Sequence, residues 1–236
     1  SGIYRIHTFT TTGTFTVSTI SPTFTQNTYR WYVDNDAADP TAVWGAVDLA
    51  ENTAITITPA GNDPPTSAQE LRLRVNITVN TADLAVSSQQ FELEFKAGTD
   101  GSCTTGSWTD VGAVAGSAWQ FATSTVTDGA DIATNGLLST TTAARGQEYA
   151  KSNPTQINHV AATLGQVIEY DFHIIGSGTD FVTATQYSFR VTESDETVFD
   201  AYTNCPTLTT EPGTENLMRH GKSFADGVEG GFFWAD

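Results

Sequence analysis

Four stretches of this chain alternate apolar and polar residues one by one, the period at which a strand turns one face to a core and the other to water. In Leu71-Arg72-Leu73-Arg74-Val75-Asn76-Ile77-Thr78-Val79 the odd positions are apolar, so they are expected to point inward and the even ones to solvent. Phe91-Glu92-Leu93-Glu94-Phe95 repeats the pattern. Paired antiparallel, these two strands place Arg72 opposite Glu94, Arg74 opposite Glu92, and Leu73 and Val75 opposite Leu93 and Phe91, a register that satisfies both faces. The second pair is Ile168-Glu169-Tyr170-Asp171-Phe172-His173-Ile174 and Gln186-Tyr187-Ser188-Phe189-Arg190-Val191. Joined as a hairpin across the Gly-Ser-Gly-containing loop 176–184, they set Glu169 against Arg190 and Tyr170 against Phe189.

Further strands are predicted over 28–33, with Tyr29, Trp31 and Val33 inward, and over 54–58, 117–126 and 198–203. The best helical candidate, 143–152, is short and stops at Asn153-Pro154. About eight to eleven strands separated by Gly, Asn, Asp and Pro turns define an all-β chain, an Ig-like or jelly-roll-type β-sandwich over 21–210. Residues 1–20 read as an extended arm or hairpin, with Ile3, Tyr4, Ile6, Phe9, Phe15 and Val17 as anchors. Residues 211–236 form a turn-rich tail that carries Phe232, Phe233 and Trp234, a sticky patch unless something covers it.

Composition narrows the partners. The 236 residues include 27 acids and 10 bases, a net charge of −17, and ten scattered cations leave no footprint for nucleic acid or an anionic membrane. At 39% hydrophobic and 11% aromatic the chain nevertheless has material for a packed core. The 40 threonines suit strands, and several, among them Thr56, Thr58 and Thr78, are expected on outward faces. No apolar run approaches the ~18 residues of a membrane span. The chain opens at Ser1, and its single methionine is Met218, as in a processed chain or an excised piece. Cys103 and Cys205 lie far apart, without a Cys-x-x-Cys, so a disulfide is expected, with two buried thiols as the alternative.

No Gly-x-Ser-x-Gly, His-Glu-x-x-His or phosphate cradle is present, and His7, His159, His173 and His220 are scattered. No catalytic residues are assigned. Glu92 and Glu94 share a strand face, but a solvated face paired to arginine accounts for them without glycosidase chemistry. Calcium is the one cofactor considered: Asp34, Asp36 and Asp39 are the densest oxygen cluster, without EF-hand spacing, and ordinary turn chemistry explains them more simply. Asp128, Asp131 and Asp195-Glu196 are weaker still. Trp44, Trp108 and Trp119 are candidates for carbohydrate stacking, against core or rim packing for each. Asn76-Ile77-Thr78 is the single glycosylation-type triplet.

Tyr4-Arg5-Ile6-His7-Thr8-Phe9-Thr10 with Gly13-Thr14-Phe15-Thr16-Val17 resembles a segment of Gly-rich secreted and fibre-type proteins of bacteria. Tyr29-Arg30-Trp31-Tyr32-Val33-Asp34-Asn35, Ala50-Glu51-Asn52-Thr53-Ala54-Ile55 and the stretches at 71–74 and 91–95 resemble a module of large cell-surface proteins of uncultivated bacteria and archaea. Met218-Arg219-His220-Gly221-Lys222 resembles a segment that follows such modules. The resemblance implies an extracellular or cell-surface setting and carries no catalytic signature. The expectation is therefore a non-enzymatic, self-associating subunit of an extracellular filament or coat, its arm adding a strand to a neighbour and its aromatic tail docking on one. A glycan-binding adhesin module is the alternative.

Overall fold

The computed structural model describes residues 20–35, 37, 39–46, 48–57, 62–98, 100–132, 138–139 and 144–212. The proposed assembly residues Ile3, Tyr4, Ile6, Phe9, Phe15, Val17, Phe232, Phe233 and Trp234, and the calcium candidate Asp36, lie outside them. Among the described residues there are eleven strands and no helix: β1 (Thr23–Val33), β2 (Glu70–Asn80), β3 (Phe91–Ala97), β4 (Thr109–Asp110), β5 (Trp119–Phe121), β6 (Ala130–Asp131), β7 (Ala144–Ala150), β8 (Val167–Gly176), β9 (Gln186–Glu193), β10 (Ala201–Tyr202) and β11 (Thr207–Thr209).

They form two packed sheets, as the all-β sandwich reading expects. The larger runs β10-β1-β2-β8-β7-β6, with β5 pairing β8 beside β7, and the smaller runs β11-β9-β3-β4. The alternating stripes meet between them. Leu71, Leu73, Val75, Ile77 and Val79 of β2, with Ile168, Tyr170, Phe172 and Ile174 of β8, face Phe91 and Leu93 of β3 and Tyr187, Phe189 and Val191 of β9, all buried. Edge-to-face aromatic contacts join the layers: Phe91 to Tyr170 at 5.2 Å, Trp31 to Phe189 at 5.6 Å and Trp119 to Phe189 at 5.2 Å between ring centres.

The strand partners differ from those expected. β2 and β3 lie in different sheets, as do β8 and β9; β2 pairs antiparallel with β8, and β3 with β9. The connections 81–90 and 177–185 cross between sheets instead of closing hairpins. Charge complementarity misled here because each basic stripe has two acidic stripes to choose from. Arg72 and Arg74 match Asp171 and Glu169 as well as they match Glu94 and Glu92. The helical candidate 143–152 is mostly strand β7, since Tyr149 and Ala150 are buried as ladder partners beside β8, and tertiary pairing overrides a weak helical preference. The expected strands at 54–58, 117–126 and 198–203 shrink to a bridge at Ile55, to β5 and to β10.

In β1 the register shifts between Gln26 and Tyr29. Phe24 and Gln26 therefore point inward before the bulge, and Tyr29 and Trp31 after it, while Val33 is exposed rather than inward. The bulged Thr28 N–H donates to Asn76 Oδ1 at 2.9 Å, and Asn76 is buried. The folded chain thus offers no glycosylation acceptor at that triplet.

The outer edges of the long strands are closed locally. On β1, Tyr29 and Trp31 carbonyls accept from Asn52 and Trp44 N–H groups, and the Val33 N–H donates to the Ala42 carbonyl. On β3, Phe91 exchanges hydrogen bonds with Thr155, while Asn153 bonds both the N–H and the carbonyl of Leu93. On β9, Phe189, Val191 and Glu193 N–H groups reach the Pro206 carbonyl, Gln26 Oε1 and the Thr197 carbonyl. The edge strands β4, β6, β10 and β11 are two or three residues long.

Cys103 and Cys205 form the expected disulfide, with their Cα atoms 5.4 Å apart across 102 residues of sequence. It ties the loop after β3 to the segment entering β11. Closing so long a loop in the unfolded chain is worth about 4–5 kcal/mol on the chain-entropy model. Reduction is expected to lower stability by about 2–5 kcal/mol, read as a drop in the urea midpoint with and without reductant.

Candidate functional site

The polar positions of β2 and β8, even-numbered in β2 and odd-numbered in β8 and expected to face water, are buried, and they hold the densest chemistry of the described residues. Arg72, Arg74, Glu169, Asp171 and His173 are each 0% exposed. In register, Arg72 stands opposite His173 and Arg74 opposite Asp171, but each guanidinium reaches one step diagonally. Arg72 Nε and Nη2 donate to Asp171 Oδ1 and Oδ2 at 3.1 and 2.8 Å, a two-pronged pair. Arg74 Nε and Nη2 both donate to Glu169 Oε2, at 3.0 and 2.8 Å, and its Nη1 lies 3.5 Å from Asp171 Oδ2. Burial works against the charge of Arg74, but Asp171, Glu169 and Asp39 win and hold its pKa above the ordinary value.

This face is roofed by described residues of the segment after β1 and of 122–132 and 138–139. Ala37 offers its carbonyl to Arg72, Leu49 its carbonyl to Arg30, and Leu138 its N–H to Glu169. The Tyr149 ring lies 4.5 Å beneath the Arg72 guanidinium. Two of the calcium candidates belong to this roof. Asp39 turns to Arg74 at 3.6 Å, and Asp34 to His173 at 2.8 Å.

His173 sits where the charged face meets a cleft. Its Nδ1 is 2.5 Å from Tyr149 Oη, which in turn lies 2.8 Å from Ser124 Oγ. Its Nε2 is 2.8 Å from Asp34 Oδ2 and 3.5 Å from Glu70 Oε2, yet it has no hydrogen-bond partner, because the approach is off the N–H axis. One atom of each of Asp34, Glu70 and His173 lies within 4.8 Å of the others. Burial, opposed by Asp34 and helped by Arg72 and Lys151, pushes the imidazole pKa down to about 4, so the ring is neutral at pH 7. Asp34 and Glu70 also line a cleft of about 510 Å³, with Val33, Trp44, Asp63 and Gln69 on its other walls. Spacing in the sequence singled out Asp34 but not its partners, since Glu70 and His173 converge on it only once β1, β2 and β8 are side by side.

The remaining candidates are placed as follows. Trp44 and Trp119 are buried, 2% and 0% exposed, so neither is a stacking platform. Trp108 is half-buried with Arg190 at 4.4 Å and Lys96 at 4.9 Å over its ring. Glu94 pairs with Arg190 at 2.6 Å across the β3–β9 pair, where the sequence predicts Arg72 for Glu94 and Glu169 for Arg190. Glu92 lines a separate hollow of about 380 Å³ with Asp110. Burial, then repulsion from Asp110, Glu196, Glu94 and Asp195, raises the Glu92 carboxyl to about 7. Asp128 caps the Lys151 N–H at 2.6 Å, and Asp131 pairs with His159. Among the described residues no helix is long and apolar enough to cross a membrane.

In comparison with known proteins, no family model matches the chain, and no curated protein matches it.

Two predictions follow from the buried charges. Arg72→Met leaves Asp171 with half its compensation, and is expected to cost about 3–5 kcal/mol in urea unfolding; adding Asp171→Leu recovers at least half of that. Glu148 is fully buried, accepts from the Gln156 N–H at 2.8 Å, and faces His159 at 3.4 Å. Burial, partly offset by that hydrogen bond and by His159, raises its carboxyl from 4.5 to about 7, with Asp128 and Asp131 adding to the rise. The folded chain therefore keeps a proton that the unfolded chain gives up between about pH 4.5 and 7, and this group's contribution to stability falls across that window as pH rises. Glu148→Gln is expected to be more stable than the unsubstituted protein at pH 8 by about 1–3 kcal/mol, with the difference gone near pH 4, by parallel urea titrations.

Proposed function

We propose that the protein is a non-enzymatic structural unit of an extracellular filament or surface coat, its sandwich a rigid bead and its flanking segments the connectors. The observation that supports this is where the chain meets the sandwich. Thr23, at the start of β1, pairs with Asn80 at the end of β2, and Thr78 in turn pairs with Val167 at the start of β8. Thr209, at the end of β11, pairs with Gln186, and Glu211 donates to the Pro65 carbonyl, beside the far end of β8 where Ala68 donates to Gly176. The two connections thus leave opposite ends of the sandwich, separated by the ten residues of β8, roughly 30 Å. Copies joined through such ends line up head to tail, an arrangement that does not close on itself.

The closed edges refine how neighbours join. With the long strands of the sandwich already paired or capped, an added strand finds its partner among the flanking segments 1–19 and 213–236 rather than on the sandwich. The disulfide supports an oxidising, extracellular setting. The cleft at the β1–β2 end favours one second reading, an adhesin module whose ligand is a glycan held there by polar side chains instead of a tryptophan face.

Light scattering and negative-stain electron microscopy of the full chain and of a version lacking residues 1–19 test the proposal. The expected outcome is linear multimers for the first and monomers for the second. Two monomeric samples at millimolar concentration would end it.

A further inference from the structure

We propose that Asp34, Glu70 and His173 bind one divalent first-row transition-metal ion, with zinc as the representative, and leave coordination positions open toward the adjoining cleft. The three ligands come from three places the fold brings together: the residue after β1, the first residue of β2, and the outer face of β8. Two donors each about 2.1 Å from a metal lie about 3.0–3.5 Å apart at octahedral to tetrahedral angles. Nε2 of His173 stands 2.8 Å from Asp34 Oδ2 and 3.5 Å from Glu70 Oε2, close to that range.

The state of the imidazole points the same way. His173 is fully buried, and its Nε2 has a carboxylate oxygen at hydrogen-bond distance without making a hydrogen bond. An N–H aimed at Asp34 would have aligned with it. The other ring nitrogen has a defined partner, Tyr149 Oη at 2.5 Å, which in turn lies 2.8 Å from Ser124 Oγ, so Nδ1–H can donate to Tyr149 and the Tyr149 O–H to Ser124. With a metal bound, that direction of the chain gives the tautomer that turns the Nε2 lone pair toward the two carboxylates, the outer-shell arrangement metal-binding histidines use. The buried imidazole nitrogen and two carboxylate oxygens thus converge at the edge of the cleft as an array of lone pairs that a cation would hold together.

Charge and donor type choose the ion. Arg72 and Lys151 act on His173 against the carboxylates of Asp34 and Asp171, and Glu70 stands 3.5 Å from its Nε2, which leaves a surplus of negative charge at this corner. One imidazole nitrogen and two carboxylate oxygens suit zinc or manganese; calcium takes oxygen donors alone. Three protein ligands leave at least one position for water or an incoming ligand. Glu70 is 34% exposed, and with Asp34 it lines the cleft, which gives the ion a way in.

The test uses the tag-free full chain, stripped with a chelator, in titration calorimetry with zinc chloride and with manganese chloride, alongside thermal melts. One equivalent of zinc per chain is expected, together with a metal-dependent rise in melting temperature. Glu70→Gln and Asp34→Asn are expected to weaken binding at least tenfold and to abolish that rise, while the metal-free melts and circular dichroism stay near those of the unsubstituted protein. Should Asp34→Asn fail to fold, the more exposed Glu70→Gln decides alone. The inference is overturned if neither metal binds at one equivalent, or if affinity is unchanged in Glu70→Gln. Neither result bears on head-to-tail assembly, which is read by particle size.

Discussion

The pairing of β2 with β8 through buried charge is the constraint the rest of the structure answers to. Two guanidiniums and two carboxylates sit on a sheet face with no access to water. Each ion loses several kcal/mol of hydration in such a place and regains it only through close partners with good geometry. Those partners come from both strands at once, so a slip of β8 against β2 would strand a charge at every rung. The hydrophobic stripe on the opposite face tolerates a shift of two residues far better, since one β-branched or aromatic residue substitutes for another. The charged face therefore specifies register, and the apolar face supplies the driving force.

Burying those charges obliges the chain to build a third layer. The segment after β1 gives up backbone carbonyls at Ala37 and Leu49 and carboxylates at Asp34 and Asp39, and Leu138 offers an N–H to Glu169. Among the described residues of the segment after β1 there is no named strand, and some of their backbone groups serve the side chains beneath. The threonines take part in the same economy on a smaller scale. Thr155 and Thr210 are fully buried and cap backbone N–H groups of Phe91 and Thr185, so some of the residues that would decorate a sheet surface instead close strand edges and turns.

The alternation of Leu71 to Val79 and of Ile168 to Ile174 made the core side of both strands legible, and every apolar position in them is buried. Which strands pair was not legible, because complementary stripes occur more than once in the chain and a loop of nine or ten residues permits either a hairpin or a crossing between sheets. Burial of the polar side was hidden for a different reason. Arg72 and Asp171 look the same in a sequence whether they face water or a roof that arrives from residue 37. Trp44 and Trp119 were ambiguous as lone aromatics always are, and packing claimed them. The two cysteines were easier, since an isolated, widely spaced pair has few other uses. At the cleft, Asp34 stood out by its local acidic company, whereas His173 and Glu70, more than a hundred residues apart, become neighbours only through the β2–β8 register.

The disulfide gains a further meaning once the chain is known to meet opposite ends of the sandwich. A pull applied between those ends would act on β1 at one side and on β11 at the other. The cysteines sit 102 residues apart in sequence and 5.4 Å apart in space, and Cys205 lies just before β11. Everything between them is bypassed by a covalent link, so at about 3.5 Å per residue some 350 Å of slack cannot pay out under tension. β4 to β10 lie inside that closed ring and are shielded from the pull, whereas β1, β2, β3 and β11 lie outside it. An inextensible ring of this kind sets a ceiling on how far the unit lengthens before a bond must break.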